Sequence, residues 1–345
     1  KKNNNNNNKN NNRYNLRKRK TIDDKNNEQK KIKLDIVNIN TWKELYVEYK
    51  TDDTNNDNNY WVSASSTKNH LLNDALVDWL DMFYDKSHKT ISTNKPVETS
   101  NKPKETDNTN ILFKMGNKFE EIVFDSLKQK YKNDVVMICK DRTDFRDRTK
   151  HNETVSCMQK GTPIILQAML VNDVNKTFGV SDILIRSDYV NKLFNVPIMD
   201  KYQETLKAPN LTGNYHYLVI DIKWSTIPLR ADETTILNQD RIIAYKGQLA
   251  IYNLALGLIQ GLVPNNSYIM GKSWSCPSRK SGQYNCFDKL CVVDYTNIDN
   301  NIISSTMNAV NWIRELRING HNWDCYKPHR TEMYPNMTSK NEKWG

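Results

Sequence analysis

An aspartate and a lysine stand two residues apart in Asp221-Ile222-Lys223, near the end of the apolar run 215–224. Residues i and i+2 of a β-strand point to the same face, so a strand here would place the two charged side chains together. Burying opposite charges is unfavourable unless they pair with each other or serve a ligand. The motif therefore predicts either a plain ion pair on a sheet or part of a binding site, and by itself it leaves both open.

Two further carboxylates occur where they can join this pair. Asp182 ends the segment Gly-Val-Ser-Asp that begins at Gly179, at the start of an apolar strand, and Glu120 lies on a predicted helix four residues after Gly116. Carboxylates from a helix, a hairpin strand and a central strand can converge on Mg²⁺ or Mn²⁺, which prefer oxygen ligands. A lysine beside such an ion can orient or help deprotonate a water and stabilise a pentacovalent phosphate. Metal-assisted phosphodiester hydrolysis has these requirements.

The elements that must position these residues follow from the apolar periodicity. Helical spacing predicts helices at 71–84, 116–131, 239–261 and 298–318. Two apolar runs joined by a short Asn/Asp connection, 164–171 and 177–187, predict a β-hairpin. Further apolar runs predict strands at 215–224, 267–274 and 289–295. The run 215–224 is apolar on both faces for much of its length, which is typical of a central strand. This order predicts an α/β or α+β domain with a mixed sheet.

Two of these helices carry specific side-chain expectations. The apolar face of 71–84 is expected to contain Leu72, Leu76, Trp79 and Phe83, and that of 116–131 to contain Phe119, Ile122, Val123, Leu127 and Tyr131. On the helix 239–261, Gln248 and Tyr252 lie at i and i+4 and therefore on one face. A core tyrosine and a glutamine capping a strand edge would give the same pattern.

Taken in order, these residues resemble the motifs of the PD-(D/E)xK nuclease superfamily: Glu120, then Gly179-x-x-Asp182, then Asp221-x-Lys223, then Gln248-x-x-x-Tyr252. The last motif is similar to the RecB-like and lambda-exonuclease-like (YqaJ-type) branch, and the resemblance covers about residues 111–275. It implies an α/β fold with a restriction-endonuclease-like core, a central mixed β-sheet flanked by helices. It also implies a deoxyribonuclease that depends on Mg²⁺ or Mn²⁺, and we expect an exonuclease acting on DNA ends.

The resemblance also implies roles for individual residues. It implies that the metal ligands are Glu120, Asp182, Asp221 and the backbone carbonyl of Ile222. It implies a catalytic role for Lys223 and positioning roles near the site for Gln248 and Tyr252. Many RecB-like members carry a histidine where Glu120 stands, so this chain leans toward the lambda-exonuclease pattern. Glu121 is an adjacent competitor for the ligand role, which the helical pattern leaves open. The spacing from Asp182 to Asp221 (221 − 182 = 39 residues) is long for a direct hairpin, so we expect an insertion near 190–214.

Cysteine spacing bears on a second kind of metal site. CRISPR-associated members of the branch often hold an iron–sulfur cluster with one cysteine before the nuclease core and three after it. Here the first cysteine is Cys139, and those after the core are Cys276, Cys286, Cys291 and Cys325. A zinc site involving His321, Cys325 and His329 is the other arrangement that the spacing offers. Because the sequence contains no C-x-x-C pair, we expect free thiols rather than an iron–sulfur cluster or zinc.

Composition predicts the domain organisation and the partner. The chain has 345 residues with 50 Lys and Arg against 40 Asp and Glu, a formal net charge of +10. We expect four parts: a basic, Asn-rich and disordered arm at 1–40, a helical extension with a polar loop at 41–110, a nuclease core at 111–275, and a C-terminal strand and helix part at 276–345. The positive charge favours DNA as the partner, and lambda-exonuclease-like members include ring-forming homo-oligomers.

Membrane and secreted classes are not expected from this sequence. No apolar run is interpreted as long enough to cross a bilayer, and six scattered cysteines do not predict a disulfide framework. We therefore expect an intracellular protein, cytoplasmic or nuclear. The Asn-rich composition is typical of an AT-rich genome and is compatible with a virus-encoded protein.

Candidate substrate contacts lie on either side of the motif strand and helix. Arg230, Arg241, Lys246 and Lys272 flank the motif strand and helix and are candidates for phosphate contacts, while Trp224 is a candidate for stacking on a base. Solvated surface charges and a core aromatic residue explain the same pattern. A catalytically silent DNA-binding protein on the same fold is the alternative to a nuclease.

Overall fold

The chain forms an α/β structure with a mixed β-sheet flanked by helices, in a computed structural model that describes residues 60–84, 107–239, 241–277 and 285–336. This confirms the predicted α/β class and its central mixed sheet. The predicted basic arm at 1–40 and most of the predicted loop at 86–110 lie outside the described residues.

The described elements alternate between helix and strand along the chain. The strands are β1 Val62–Ser63, β2 Val135–Met137, β3 Ile164–Asn172, β4 Thr177–Arg186, β5 Tyr217–Pro228, β6 Asn266–Ser275 and β7 Cys291–Asp294. The helices are α1 Lys68–Leu71, α2 Leu76–Trp79, α3 Asp107–Tyr131, α4 Lys150–Gln159, α5 Ser187–Leu193, α6 Lys201–Thr205, α7 Ile242–Gln260 and α8 Ile302–Asn319.

The sheet has the strand order β2-β3-β4-β5-β6-β7, and β1 pairs with β4 outside this path. Strands β3 and β4 pair antiparallel, so the predicted hairpin is confirmed, and β4 also pairs antiparallel with β5. Strand β2 runs parallel to β3, and β6 runs parallel to β5. The first half of β5 is buried, as expected for a central strand. Both β1 and β7 belong to the same sheet, so segments on either side of residues 111–275 complete it.

Helix α3 packs one face against the sheet and starts earlier than predicted. It begins at Asp107, so the expectation of loop structure was wrong for the last four residues of 86–110. Val123 and Leu127 are buried as predicted, but Ile122 is 56% exposed and Phe124 is buried instead. Each residue turns a helix by about 100°, so the inward arc is centred on Val123 and Leu127 and excludes Ile122.

The predicted helix at 71–84 is wrong as a continuous element. The chain forms α1, a turn, α2 and a π-helical turn at Leu80–Tyr84. The break occurs at Asn73, which has a φ of 55°, a left-handed conformation that asparagine tolerates better than most residues. Leu72 consequently leaves the inward face, while Trp79 remains buried and donates a hydrogen bond to the Gly320 carbonyl at 2.8 Å.

Helix α7 lies within the predicted helix at 239–261 and ends at Gln260, where it is capped by Gly261, whose φ is 74°. The prediction that no apolar run is long enough to cross a bilayer was wrong, because the length and composition of α7 would suffice. In the structure 72% of its apolar window is buried, against the strands β3, β4 and β5 and against α8. A buried core helix can have the same length and apolar composition, so α7 supports no conclusion about membranes.

The expected insertion between Asp182 and Asp221 is present. It consists of α5, α6 and the connecting segments between β4 and β5, and α6 begins with a capping box between Asp200 and Gln203. The insertion leaves β4 and β5 adjacent in the sheet despite their separation in sequence.

Candidate functional site

The candidate site lies where β4 and β5 stop pairing. Their last pair in this direction is Ile183 with Ile220, so Asp182 and Asp221 would form the next pair but do not. The Asp182 Oδ2 atom instead accepts a hydrogen bond from the Ile222 backbone N–H at 2.6 Å. A side-chain carboxylate thus replaces the backbone acceptor of the missing strand pair, and the sheet opens beside it.

Asp221 and Lys223 meet at this opening. Asp221 Oδ2 lies 2.5 Å from Lys223 Nζ, and the two side chains are 1% and 19% exposed. Among the described residues, no group donates a well-angled hydrogen bond to this buried oxygen. Asp221 Oδ2 is therefore paired with the Lys223 ammonium, and a carboxylate oxygen can accept more than one partner.

The structure brings Glu120 to the same opening and turns Glu121 away from it. Gln167 Nε2 donates a short hydrogen bond to Glu120 Oε1 and lies 3.4 Å from Asp182 Oδ1. Glu121 is exposed on the other side of α3 and pairs with Lys118 at 2.7 Å. The geometry therefore separates two glutamates that the helical pattern did not distinguish.

Gln167 was missed by the sequence reasoning. It lies in the middle of β3, is 5% exposed and has a φ of 48°. Its signal in the sequence is that it is the one polar residue inside the apolar run 164–171. A buried amide in such a strand needs partners, and here the carboxylates of Glu120 and Asp182 supply them.

Burial and mutual repulsion shift the proton affinities of the cluster. Burial, followed by the charges of Asp221 and Glu120, raises the pKa of Asp182 well above its usual range. Burial also raises the pKa of Glu120, although Lys223 opposes the shift. For Lys223, burial favours the neutral form, but Asp221 and Asp182 outweigh it and raise its pKa. Glu120 and Asp182 thus bind their protons more tightly than usual, while the lysine stays protonated.

Gln248 and Tyr252 lie against this cluster on α7. Gln248 Nε2 donates to the Tyr252 hydroxyl at 2.7 Å. Burial, with the nearby charge of Asp221, raises the pKa of Tyr252 well above its usual range. Gly179 makes room for the ring, because a Cβ at that position would lie 2.6 Å from Tyr252 Cε1. Close packing against Tyr252 therefore explains why the first position of the Gly-x-x-Asp motif is a glycine.

An open cavity of about 830 Å³ extends from the cluster along α3 and β5. Its lining includes Glu120 and Lys223 together with Phe113, Trp224, Arg241 and Tyr245. Trp224 also contacts the Phe119 ring, with centroids 5.3 Å apart, and Lys272 Nζ, which lies 4.5 Å from its centroid. The cavity thus combines aromatic surface, cations and the carboxylate cluster.

Three of the four proposed phosphate contacts receive no support from this arrangement. Lys246 is fully buried and pairs with Asp299 at 2.7 Å, so its expected phosphate contact was wrong. Its ammonium also donates to the Ile236 carbonyl at 2.9 Å, which fixes it inside the core. Arg230 and Lys272 are not among the residues that line the cavity.

The cysteines lie on different faces of the sheet and form no disulfide. Cys276 and Cys291 are buried in the cluster that packs against α7, whereas Cys286 packs against the cluster on the α3 side. In the described part of the chain, no three His, Cys, Asp or Glu side chains already form a group that could hold a metal ion. The carboxylates of the candidate site are engaged instead by Gln167, Ile222 and Lys223.

The donor set nevertheless fits a hard divalent cation. When ionised, three carboxylates and one ammonium leave two negative charges (3 − 1 = 2) in a site that is mostly buried. The Asp221 oxygen without a well-angled donor is the kind of ligand that Mg²⁺ and Mn²⁺ prefer.

Comparison of the sequence with models of known protein families finds no match, and comparison with curated proteins finds none either.

Proposed function

We propose that this chain is a divalent-metal-dependent nuclease that hydrolyses DNA phosphodiester bonds, acting as an exonuclease on DNA ends. One observation carries the proposal. Glu120, Asp182 and Asp221 come from a helix and two strands that are far apart in sequence, yet they meet beside Lys223 at the opening between β4 and β5. Chance does not readily bring three carboxylates and a lysine together in a mostly buried site.

The order of elements supports a restriction-endonuclease-like core for this function. Helix α3 precedes the antiparallel strands β3, β4 and β5, and α7 then leads to β6, which is parallel to β5. Each motif of the PD-(D/E)xK resemblance therefore lies on the kind of element on which it was expected. Fold alone does not establish activity, which depends on the residues of the site.

Residues at the opening would hold the metal ion and orient the reactants. The proposed ligands of Mg²⁺ or Mn²⁺ are the carboxylates of Glu120, Asp182 and Asp221 and the carbonyl of Ile222. When bound, such an ion acts as a Lewis acid and lowers the pKa of a water. Lys223 stays protonated beside Asp221, so its ammonium can orient a water and stabilise negative charge on the phosphate.

The cavity supports a polynucleotide as the substrate. Arg241 contributes a positive charge to its lining, and Phe113 and Trp224 contribute rings on which bases can stack. Tyr252 and Gln248 are proposed as positioning residues, because their hydrogen bond lies against the carboxylates. Association into a homo-oligomer and an intracellular, virus-encoded origin stay predictions.

The test compares DNA degradation by two glutamine variants. Linear and circular DNA are incubated with the wild-type chain, Glu120→Gln and Glu121→Gln, in Mg²⁺ and in EDTA. We expect loss of linear DNA that requires Mg²⁺, abolished in Glu120→Gln and retained in Glu121→Gln, whose carboxylate is exposed and paired with Lys118. Cleavage in EDTA, or equal activity of both variants, would contradict the proposed site.

A second candidate function is DNA binding without hydrolysis. It is favoured by the fact that two of the carboxylates are engaged by side chains of the protein itself, Asp221 by Lys223 and Glu120 by Gln167. The same incubation separates the two functions when it is combined with a gel-shift assay. Metal-independent retardation of DNA without cleavage would support the silent binding protein.

A further inference from the structure

Gln167 adopts a backbone conformation that is unusual for its position. Its φ of 48° lies in the left-handed region, which non-glycine residues seldom adopt inside a strand. The neighbours on both sides keep the β3–β4 register, with Leu166 opposite Ile183 and Ala168 opposite Ser181. The departure is therefore confined to one residue, and that residue lies opposite Asp182.

The local arrangement sends the side chain of Gln167 to the candidate site while its backbone stays in the sheet. The Gln167 carbonyl accepts a hydrogen bond from the Cys139 N–H at 3.1 Å, on the side of β2. Its side-chain amide donates to Glu120 on α3 and lies 3.4 Å from Asp182 Oδ1 on β4. One side chain thus connects two carboxylates that belong to separate elements.

We propose that Gln167 is a positioning residue for the cation site, an inference that rests on the proposed function. Its amide holds Glu120 and Asp182 together before a divalent cation binds. Without a cation, two carboxylates that approach each other in a buried site repel. Gln167 offsets that repulsion by hydrogen bonding, so that the ligands from α3 and β4 are already adjacent when the cation arrives. Partners that orient metal ligands in this way typically affect metal affinity strongly.

The length and shape of the side chain make this role testable without disturbing the backbone. Glycine adopts positive φ without steric penalty, and asparagine adopts it more readily than most residues. Neither can bridge the two carboxylates, because glycine has no side chain and asparagine is one methylene shorter. Gln167→Gly and Gln167→Asn therefore keep the φ value and remove the bridge.

The experiment measures the affinity of Mn²⁺ for the full chain without DNA, by electron paramagnetic resonance of the free ion. We expect Mn²⁺ to bind about 10- to 100-fold more weakly to both variants than to the wild type. Thermal melts in EDTA verify that both variants are folded. The matched control is Lys176→Gly, because Lys176 has a φ of 49° in the β3–β4 turn and lies away from the carboxylates. Its Mn²⁺ affinity should equal that of the wild type.

The outcomes distinguish the inference from the function on which it rests. If the wild type binds Mn²⁺ and both Gln167 variants bind it equally well, the positioning role is overturned and the nuclease proposal stands. If both variants fail to fold, Gln167 is a structural residue and the inference is also overturned. If the wild type binds no Mn²⁺ and cleaves no DNA, the proposed function fails and the inference fails with it.

Discussion

Replacing Lys223 with methionine removes the ammonium from the carboxylate cluster and keeps most of the length of the side chain. Asp221, which is 1% exposed, loses the cation that lies 2.5 Å from its Oδ2 atom. Three carboxylates then remain together with no positive side chain between them. We expect two consequences that an ordinary buried ion pair would not combine, namely a stability loss that Mg²⁺ reduces and a loss of turnover.

The stability loss follows from leaving a buried charge without its partner. Removing one member of a buried ion pair costs about 3–5 kcal/mol in the free energy of unfolding. Because Lys223 is 19% exposed, we expect the lower end, about 3 kcal/mol, in EDTA. Loss of the repelling ammonium should also tighten Mg²⁺ binding, and each tenfold gain in affinity reduces the deficit by about 1.4 kcal/mol at saturating Mg²⁺.

The chain offers a matched control in its other buried lysine pair. Lys246 and Asp299 lie 2.7 Å apart, are 0% and 1% exposed, and take no part in the carboxylate cluster. Lys246→Met should therefore lose stability in the same range of about 3–5 kcal/mol, with no recovery in Mg²⁺. Denaturant unfolding of both variants and the wild type, in EDTA and in Mg²⁺, gives the comparison.

Turnover provides the second readout. Lys223→Met should lower the rate of DNA cleavage by about 10²- to 10⁴-fold, the usual value of a positioned proton-transfer or charge-stabilising group. Lys246→Met should cleave at the wild-type rate at temperatures where it is folded. Two results would show that Asp221 and Lys223 form only a structural ion pair. One is full cleavage activity of Lys223→Met, and the other is a stability loss that Mg²⁺ does not reduce, as expected for Lys246→Met.

Three further predictions concern the cavity, the tyrosine and the pH dependence. Phe113 is 55% exposed in the cavity lining, so Phe113→Ala should weaken binding of a single-stranded oligonucleotide by about 5- to 100-fold in a fluorescence titration, whereas Tyr202→Ala, outside the lining, should not. Gly179→Ala places a Cβ 2.6 Å from Tyr252 Cε1, and thermal melts should show a loss of about 1–3 kcal/mol together with slower cleavage. The raised pKa of Asp182 means that the folded chain binds this proton more tightly than the unfolded chain. In EDTA the unfolding free energy should therefore fall as pH rises from about 4 toward the raised pKa, and Asp182→Asn should remove part of that fall.

Local patterns in the sequence were sufficient for most of the elements around the site. The hairpin of β3 and β4, the central strand β5 and the helix α7 were predicted, because alternation and helical spacing reflect geometry within one segment. The order of the motifs along the chain was also visible in the sequence. Where a local conformational exception intervened, as at Asn73, the pattern predicted a continuous helix that the structure does not contain.

Long-range packing decided what local patterns left open. Glu120 and Glu121 are neighbours on one helix, and only the burial of Val123 and Leu127 determines which of them reaches the sheet. Lys246 looked like a surface cation until its partner Asp299, 53 residues away, was in place.

The sequence by itself determined which residue types were present and on which kinds of elements they lie. The tertiary structure decided their convergence, because the opening at Asp182 and Asp221 exists only where β4 and β5 cease to pair. Gln167 enters the site through a single positive φ value and a neighbour on the adjacent strand. Neither feature produces a periodic pattern of residues in the sequence, because both arise from contacts between segments that pack together only in the folded chain.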